Sequence, residues 1–308
     1  MRFFLTGAKG QLGQDLTAAL AGQVPTGGRT DDPRTGNLGR GPGHAVLATD
    51  LPELDITDRG AVQAAVAGFG PDVVIHAAAF TAVDRCETEP DTAFAVNALA
   101  TRHVAEAARR AGAHLIYLST DYVFDGTSTR PYVEWDRPNP QSVYGRSKYG
   151  GELEVGPGDT VVRTSWVCGA HGANMVKTVL RLAAEPGPLR FVDDQRGCPT
   201  FTADLAGALV RLGVERRPGV FHLTNEGVTS WCEFAAAVLV AAGADAGRVE
   251  PIATADLDPP RPAPRPANSA LDNAAWRLSG LPGLPDWRDG LDRLVAALVS
   301  EATTGGSR

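Results

Sequence analysis

The sequence predicts an α/β fold in which a doubly wound parallel sheet is followed by a smaller C-terminal α/β lobe. Through the first half, short apolar runs alternate with longer segments of helical period, the pattern of βαβ units. A glycine triplet, Gly7, Gly10 and Gly13, separates the first apolar run from the first helical segment. The scale fits as well: 308 residues, 43% hydrophobic and 21% charged, can bury a substantial core with room for a second unit.

"RFFLTG" reads as the first strand and "QLGQDLTAALA" as a helix with Leu12, Leu16, Ala19 and Leu20 on one face. "AVLATD" (45–50) and "DVVIHAAA" (72–79) read as buried strands. Residues 91–112 form a long helix closed by Gly112, and "HLIYLST" (114–120) and "TVVRTSWV" (160–167) are further strands. The second half alternates less regularly, with helices near 172–185, 203–213 and 230–242 and strands at "LRFVD" and "VFHLT". A proline cluster at 259–266 precedes a last helix, 287–302, with Trp287, Leu291, Leu294, Val295 and Leu298 on one face. The expected division is a first domain over 1–165, a lobe mainly over 166–302 with some segments returning to the first domain, and a frayed tail at 303–308. Between the first helix and the second strand, residues 22–44 form a Gly/Pro/Arg-rich insertion that reads as a mobile loop.

The formal charge of −7 argues against a nucleic-acid or membrane surface. The longest apolar run, 235–244, is too short to span a bilayer. Cys86, Cys168, Cys198 and Cys232 are widely spaced, without C-x-x-C or a His/Cys metal pattern, which points to reduced thiols, a cytoplasmic setting and no metal site.

The triplet follows a strand and opens a helix. That position calls for a tight turn, backbone close to a pyrophosphate and helix N–H groups aimed at the anion. The bland reading is a glycine-rich turn that only packs helix on sheet. Asp50 ends the second strand, where an acid accepts a hydrogen bond from an adenosine ribose 2′-OH and repels a 2′-phosphate. Arg29, Arg34 and Arg40 of the insertion offset that repulsion if they fold over the phosphate, so NADPH and NADH both stay open.

"VYGRSKYGGE" (143–152) sets Tyr144 and Lys148 four residues apart, on one helix face. The chain has only three lysines and five tyrosines, so about 0.05 such pairs are expected by chance. An ammonium beside a phenol favours phenolate, and lysine's compact charge also grips sugar hydroxyls. The bland reading is an exposed helix carrying a Lys148–Glu152 ion pair. Upstream, "LSTDYVFDG" puts Ser119, Thr120 and Asp121 at the carboxyl end of a strand, the edge where open α/β sheets bind ligands. By itself such a cluster also reads as a plain turn.

Together these residues resemble the extended short-chain dehydrogenase/reductase family, within it the branch that reduces dTDP-4-keto-6-deoxy sugars. Matching stretches run nearly the full length: "GAKGQLGQDL", "HAAAFTAVDRCETEP", "STDYVFDG", "VYGRSKYGGE", "VRTSWVCG", "VDDQRGCPT" and "RPANSALD". The resemblance implies a Rossmann-type sheet, a substrate lobe and ketone reduction with NADPH, NADH being the alternative. It implies Tyr144 as proton donor to the C4 oxygen, Lys148 as its tuner and ribose ligand, and Thr120 as the third catalytic member. Thr120, Asp121 and Trp166 are then substrate contacts, and Arg265, Asn268 and Ser269 match a substrate-lobe signature. Gly10, Gln11 and Leu12 match the cofactor turn, Asp50, Asp55 and Ile56 the adenosine side, and Ala79, Phe80 and Thr81 the cofactor lining. Family members are often homodimers.

Three features depart from that family. The insertion has no counterpart, His76 stands where Asn is common, and Cys168 stands where Tyr is common. A buried histidine is the expected reading of His76. Rival readings are a 4-ketoreductase for another dTDP-deoxysugar, an epimerase that retains NAD⁺, and a non-catalytic nucleotide-binding regulatory subunit. The intact Thr120, Tyr144 and Lys148 set speaks against the last.

Overall fold

The computed structural model describes residues 1–22 and 43–305, with side chains through residue 300. Most of the 22–44 insertion, with Arg29, Arg34 and Arg40, lies outside the described residues, as does 306–308. Six parallel strands form the main sheet: β1 (Arg2–Thr6), β2 (Ala45–Thr49), β3 (Val73–His76), β4 (His114–Thr120), β5 (Thr160–Thr164) and β6 (Gly219–His222). Their spatial order is β6-β5-β4-β3-β1-β2, so the winding direction reverses between β1 and β3.

Helices cover both faces. Along the chain they are α1 (Gln11–Leu20), α2 (Arg59–Phe69), α3 (Val83–Thr88), α4 (Pro90–Phe94), α5 (Ala100–Ala111), α6 (Val143–Glu152), α7 (Met175–Ala183), α8 (Thr202–Glu215), α9 (Trp231–Ala241), α10 (Ala274–Leu278) and α11 (Trp287–Gly305). Strand alternation divides the side chains between two cores. Phe3, Leu5, Val73, Ile75 and Ile116 meet Leu16 and Leu20 of α1 and Leu205, Leu209 and Leu212 of α8. Phe4, Val74 and Leu115 meet Val62 and Val66 of α2 and Val104 and Ala108 of α5. A third core joins Val176, Val179, Phe201, Phe234, Val238, Leu239, Trp287, Leu291 and Val295. Beside it run short strand pairs: Leu189–Val192 with Val249–Ile252, Arg196–Gly197 with Thr229–Ser230, and Val167–Cys168 with Thr200–Phe201.

Four elements differ from the expected ones. The strand over 72–79 stops at His76; one last ladder bond runs from Ala77 N to Thr6 O (3.2 Å), and the chain then passes against Gly7 of the glycine turn. The strand over 160–167 breaks at Trp166, whose φ of 47° is left-handed, and resumes as the pair at Val167–Cys168. The helix over 91–112 starts at Pro90 and contains a π-helical turn, Ala95–Leu99, before Gly112 (φ 68°) closes it. The last helix continues to Gly305, past the expected end at 302. Among the described residues no helix is long and apolar enough to cross a membrane, and no His/Cys/Asp/Glu group could hold a metal ion. All four cysteines are free thiols.

Candidate active site

The glycine turn lies at the reversal point between β1 and β3. At Gly7 (φ 76°) a Cβ would stand 2.6 Å from Ala78 N, and at Gly13 it would meet Gly7 O at 2.1 Å. Only hydrogen fits at these two positions, so turn, helix and strand end touch through backbone. Gly10 caps α1 and donates its N–H to Gly7 O (3.2 Å), and Leu12 packs on the first core. Gln11 Oε1 accepts from Gly169 N (3.1 Å) and Asn174 Nδ2 (2.9 Å), tying the turn to the start of the lobe. Asp50 follows β2 and accepts from Lys9 N (2.8 Å) and Leu51 N (2.8 Å). Asp55 accepts from Thr57 N and Oγ1, and Ile56 is buried with its carbonyl against His103 Nδ1 (3.3 Å). Ala79, Phe80 and Thr81 leave the end of β3 beside this turn.

Helix α6 carries the reactive pair. Ser142 caps it by accepting from Gly145 N (3.0 Å). A Cβ at Gly145 would meet Tyr122 O at 2.2 Å; one at Gly151 would meet Tyr117 Oη at 2.2 Å and Asn97 O at 2.4 Å. The glycines therefore let the helix lie directly on the end of β4 and on the π-helical turn. Tyr144 is 9% exposed and Lys148 2%. The Lys148 ammonium sits 4.2 Å from the centre of the Tyr117 ring and makes no hydrogen bond to protein among the described residues. The exposed Lys148–Glu152 ion pair of the bland reading is not formed. Glu152 instead accepts two bonds from Arg163 (Nε 2.9 Å, Nη2 2.7 Å) and one from Ser119 Oγ (2.5 Å).

Burial sets the protonation states. It pushes the Tyr144 phenol well above its ordinary value, while the Thr120 hydroxyl pulls it down and Asp121 and Tyr122 push it up. Desolvation dominates, so in this structure the phenol lies above its ordinary value rather than below it. Burial lowers Lys148 to about 7, partly countered by the Glu152 charge. Burial likewise lifts Asp121 to about 6; its Oδ1 accepts from Thr120 Oγ1 (2.9 Å), and its Oδ2 has no partner. His76 is fully buried between Thr6 Oγ1 (2.7 Å) and Thr101 Oγ1 (3.2 Å), and burial lowers it to about 3, so it is neutral. It is a core histidine, as expected.

The lobe residues fall into two groups. Trp166 stacks flat on Trp231, ring centres 3.4 Å apart, and Gly197 lies against its indole where a Cβ would stand 2.5 Å away. Ser269 is buried close to Asp121, with its hydroxyl 3.4 Å from Arg196 O. Arg265 grips Asp84 through both terminal nitrogens (Nη2–Oδ2 2.9 Å) and lines a cleft with Tyr122, Gln141 and Ser142. Asn268 is committed to the backbone, donating to Ser128 O (2.8 Å) and Arg130 O (3.1 Å). Cys168 is buried, its thiol pushed up to about 12 by desolvation.

The family described as RmlD substrate binding domain matches residues 1–300. The chain belongs to this family. It is 44% identical over 311 residues to a dTDP-4-dehydrorhamnose reductase of Streptomyces griseus, covering 98% of this chain and 95% of that one. A probable dTDP-4,6-dihydroxy-2-methyloxan-3-one 4-ketoreductase of Streptomyces antibioticus is 41% identical, covering 94% of this chain and 93% of the other. The solved structure of the Bacillus anthracis dTDP-4-dehydrorhamnose reductase in complex with NADP superposes with a TM-score of 0.84 at 35% identity, covering 96% of this chain and 99% of that one.

Three side chains of the site, Asn97, Arg163 and Trp231, escaped the sequence reading, and Ser119 was placed at the strand end without its partner. Asn97, in the π-helical turn, donates to Phe80 O (3.0 Å) and Ser147 Oγ (3.0 Å) and accepts from Phe80 N (2.8 Å). It thus ties the Ala79–Thr81 stretch to α6. A lone polar residue inside the apolar run 93–100 was the available signal. Ser119 and Arg163 sit directly opposite each other on β4 and β5. An arginine in the middle of the buried run "VVRTSWV" has to find a buried anion, which is the clue to Glu152. Trp231 left no local signal.

Proposed function

We propose that the protein reduces the C4 ketone of dTDP-4-dehydro-L-rhamnose to dTDP-L-rhamnose, with NADPH as the preferred cofactor and NADH as the alternative. What carries the reading is a buried, protonated phenol, Tyr144, on one helix face with a buried ammonium, Lys148, whose N–H groups meet no protein acceptor among the described residues. Three free donors at the carboxyl edge of the sheet suit ribose hydroxyls, and the tight glycine turn suits a pyrophosphate. Bound NADPH supplies the hydride to C4. Tyr144 keeps its proton at neutral pH and donates it as negative charge develops on the ketone oxygen, a contribution of about 10²–10⁴-fold. Thr120 orients the phenol, and Lys148 stabilises the phenolate left after transfer. Asp121, Trp166, Arg265 and Ser269 face the sugar nucleotide, and Asn268 shapes the loop beneath it.

NADPH is favoured over NADH by how Asp50 is used. The backbone N–H groups of Lys9 and Leu51 already occupy the Asp50 carboxylate and offset part of the charge that would repel a 2′-phosphate, while the Lys9 ammonium itself pairs with Glu53. The 41% identical ketoreductase of Streptomyces antibioticus supports a second reading, reduction of a different dTDP-4-keto sugar. The test is oxidation of NADPH and NADH with dTDP-4-keto-6-deoxy sugars, with product configuration read by NMR. Rhamnose stereochemistry is expected; another configuration selects the second reading. Tyr144→Phe should lower kcat by about 10²–10⁴-fold with NADPH affinity unchanged. Wild-type turnover in that variant would overturn the assignment.

A further inference from the structure

Lys148 and Glu152 are one helical turn apart on α6, the spacing at which opposite charges meet. In a buried site their attraction is far stronger than on a helix surface, because little water screens it. Left to themselves the two side chains would pair, and the ammonium would be drawn back along the helix. The pair is absent because Glu152 is held from the other side. Arg163 of β5 takes both carboxylate oxygens in a fork, and Ser119 of β4 adds a bond to Oε1. All three are nearly inaccessible: Glu152 is 9% exposed, Arg163 3% and Ser119 5%. The guanidinium is steadied in turn over the Phe124 ring at 5.2 Å.

We propose that Arg163 and Ser119 are positioning residues. By occupying the Glu152 carboxylate, they keep the Lys148 ammonium out of an ion pair with it and available to the cofactor ribose and Tyr144. The carboxylate still supports the ammonium through space, so Lys148 gains electrostatic help without losing a donor. Such a division explains why a buried carboxylate, backed by a buried arginine, stands one turn beyond the reactive pair on the same helix face. It rests on the ketoreductase reading for its consequence, but the placement of Lys148 can be read without turnover.

The groups around Lys148 are few enough for a clean titration. His76 faces it from β3 and is neutral; Tyr117 faces it from β4 with a phenol pushed far up by burial. Tyr144 and Glu152 share its helix, and Arg163 stands behind Glu152 on β5. Asp121 acts on the Tyr144 phenol. Glu152 is the anion that acts on the ammonium, raising its affinity for the proton.

The chain's three lysines make the experiment direct: [13Cε]lysine labelling gives three signals, and Lys148→Arg identifies the one of interest. In Arg163→Met, Glu152 should turn to Lys148, raising the lysine titration midpoint by about one pH unit or more. The KM for NADPH should rise about tenfold, with a smaller fall in kcat. Glu152→Gln should lower the midpoint by about one unit, with the alkaline limb of kcat/KM moving down in step. Glu152→Gln combined with Arg163→Met should restore the NADPH KM lost in Arg163→Met alone. Ser119→Ala removes one of three anchors and should shift the midpoint in the same direction as Arg163→Met, less far; it serves if Arg163→Met does not fold. If these variants lower Tm but leave the Lys148 midpoint and NADPH KM at wild-type values, the pair is only structural and the proposal fails. A wild-type protein inactive on every keto sugar, with the midpoints moving as described, would remove the ketoreductase reading and keep the positioning role.

Discussion

Helices α6 and α9 are almost the same length, ten and eleven residues, yet are held in place by opposite means. Helix α9 opens with a capping box in which Ser230 and Glu233 satisfy each other's backbone N–H groups, and it buries Phe234, Ala235, Val238 and Leu239. Local signals and apolar burial both favour it. Helix α6 contains Gly145, Gly150 and Gly151, each costing about 1 kcal/mol of helix propensity, and buries Tyr144, Ser147, Lys148 and Glu152. It exists because tertiary neighbours fill the glycine gaps and satisfy the polar groups. The contrast teaches that the reactive helix is stabilised by its surroundings, and that those surroundings are where substitutions should hurt.

The largest effect that would break this comparison is at Gly151. In an ordinary helix Gly→Ala adds about 1 kcal/mol of stability. Here the methyl would meet Tyr117 Oη and Asn97 O, so Gly151→Ala should lose about 3 kcal/mol in urea unfolding and lose turnover as well. A stabilised variant would mean that α6 is an ordinary helix after all.

A second contrast is in pH. His76, packed beneath α6, has its folded-state pKa lowered to about 3 from 6.5. Between those values the unfolded chain binds a proton that the folded one does not, so stability falls as pH drops below about 6.5. By pH 5 the loss from this group is about 2 kcal/mol. His76→Asn should flatten that part of the Tm-against-pH curve; an unchanged slope would assign it to other groups, His222 first. The smallest effect is at α9, where Ser230→Ala should cost about 1 kcal/mol with turnover unchanged. A large loss of activity there would show that the lobe helix also shapes the site.

Much of the fold was legible because buried parallel strands must be continuously apolar and their helices periodic. Strands β1, β4 and α1 follow that rule closely. Breaks in the pattern were not legible. The π-helical turn at Ala95–Leu99 keeps helical periodicity in sequence, and the left-handed Trp166 carries a residue type that gives no sign of it. At the site, Tyr144 and Lys148 could be paired by spacing, since a helix fixes which residues share a face. The protonation states could not, because desolvation depends on everything packed around the phenol.

By itself, then, the sequence determined the order of strands and helices, the glycine turn at the first of them, and the Tyr144–Lys148 stripe. These follow from short-range geometry: periods of two and of about 3.6 residues, and a turn that only glycine can make. Only the tertiary structure decided that Glu152 serves Arg163 and Ser119 rather than Lys148, that Asn97 joins the strand end to α6, and that Asn268 holds a loop. Each of those groups has several partners within reach along the chain. Which one it takes is settled by what burial leaves unsatisfied, and burial is a property of the whole fold.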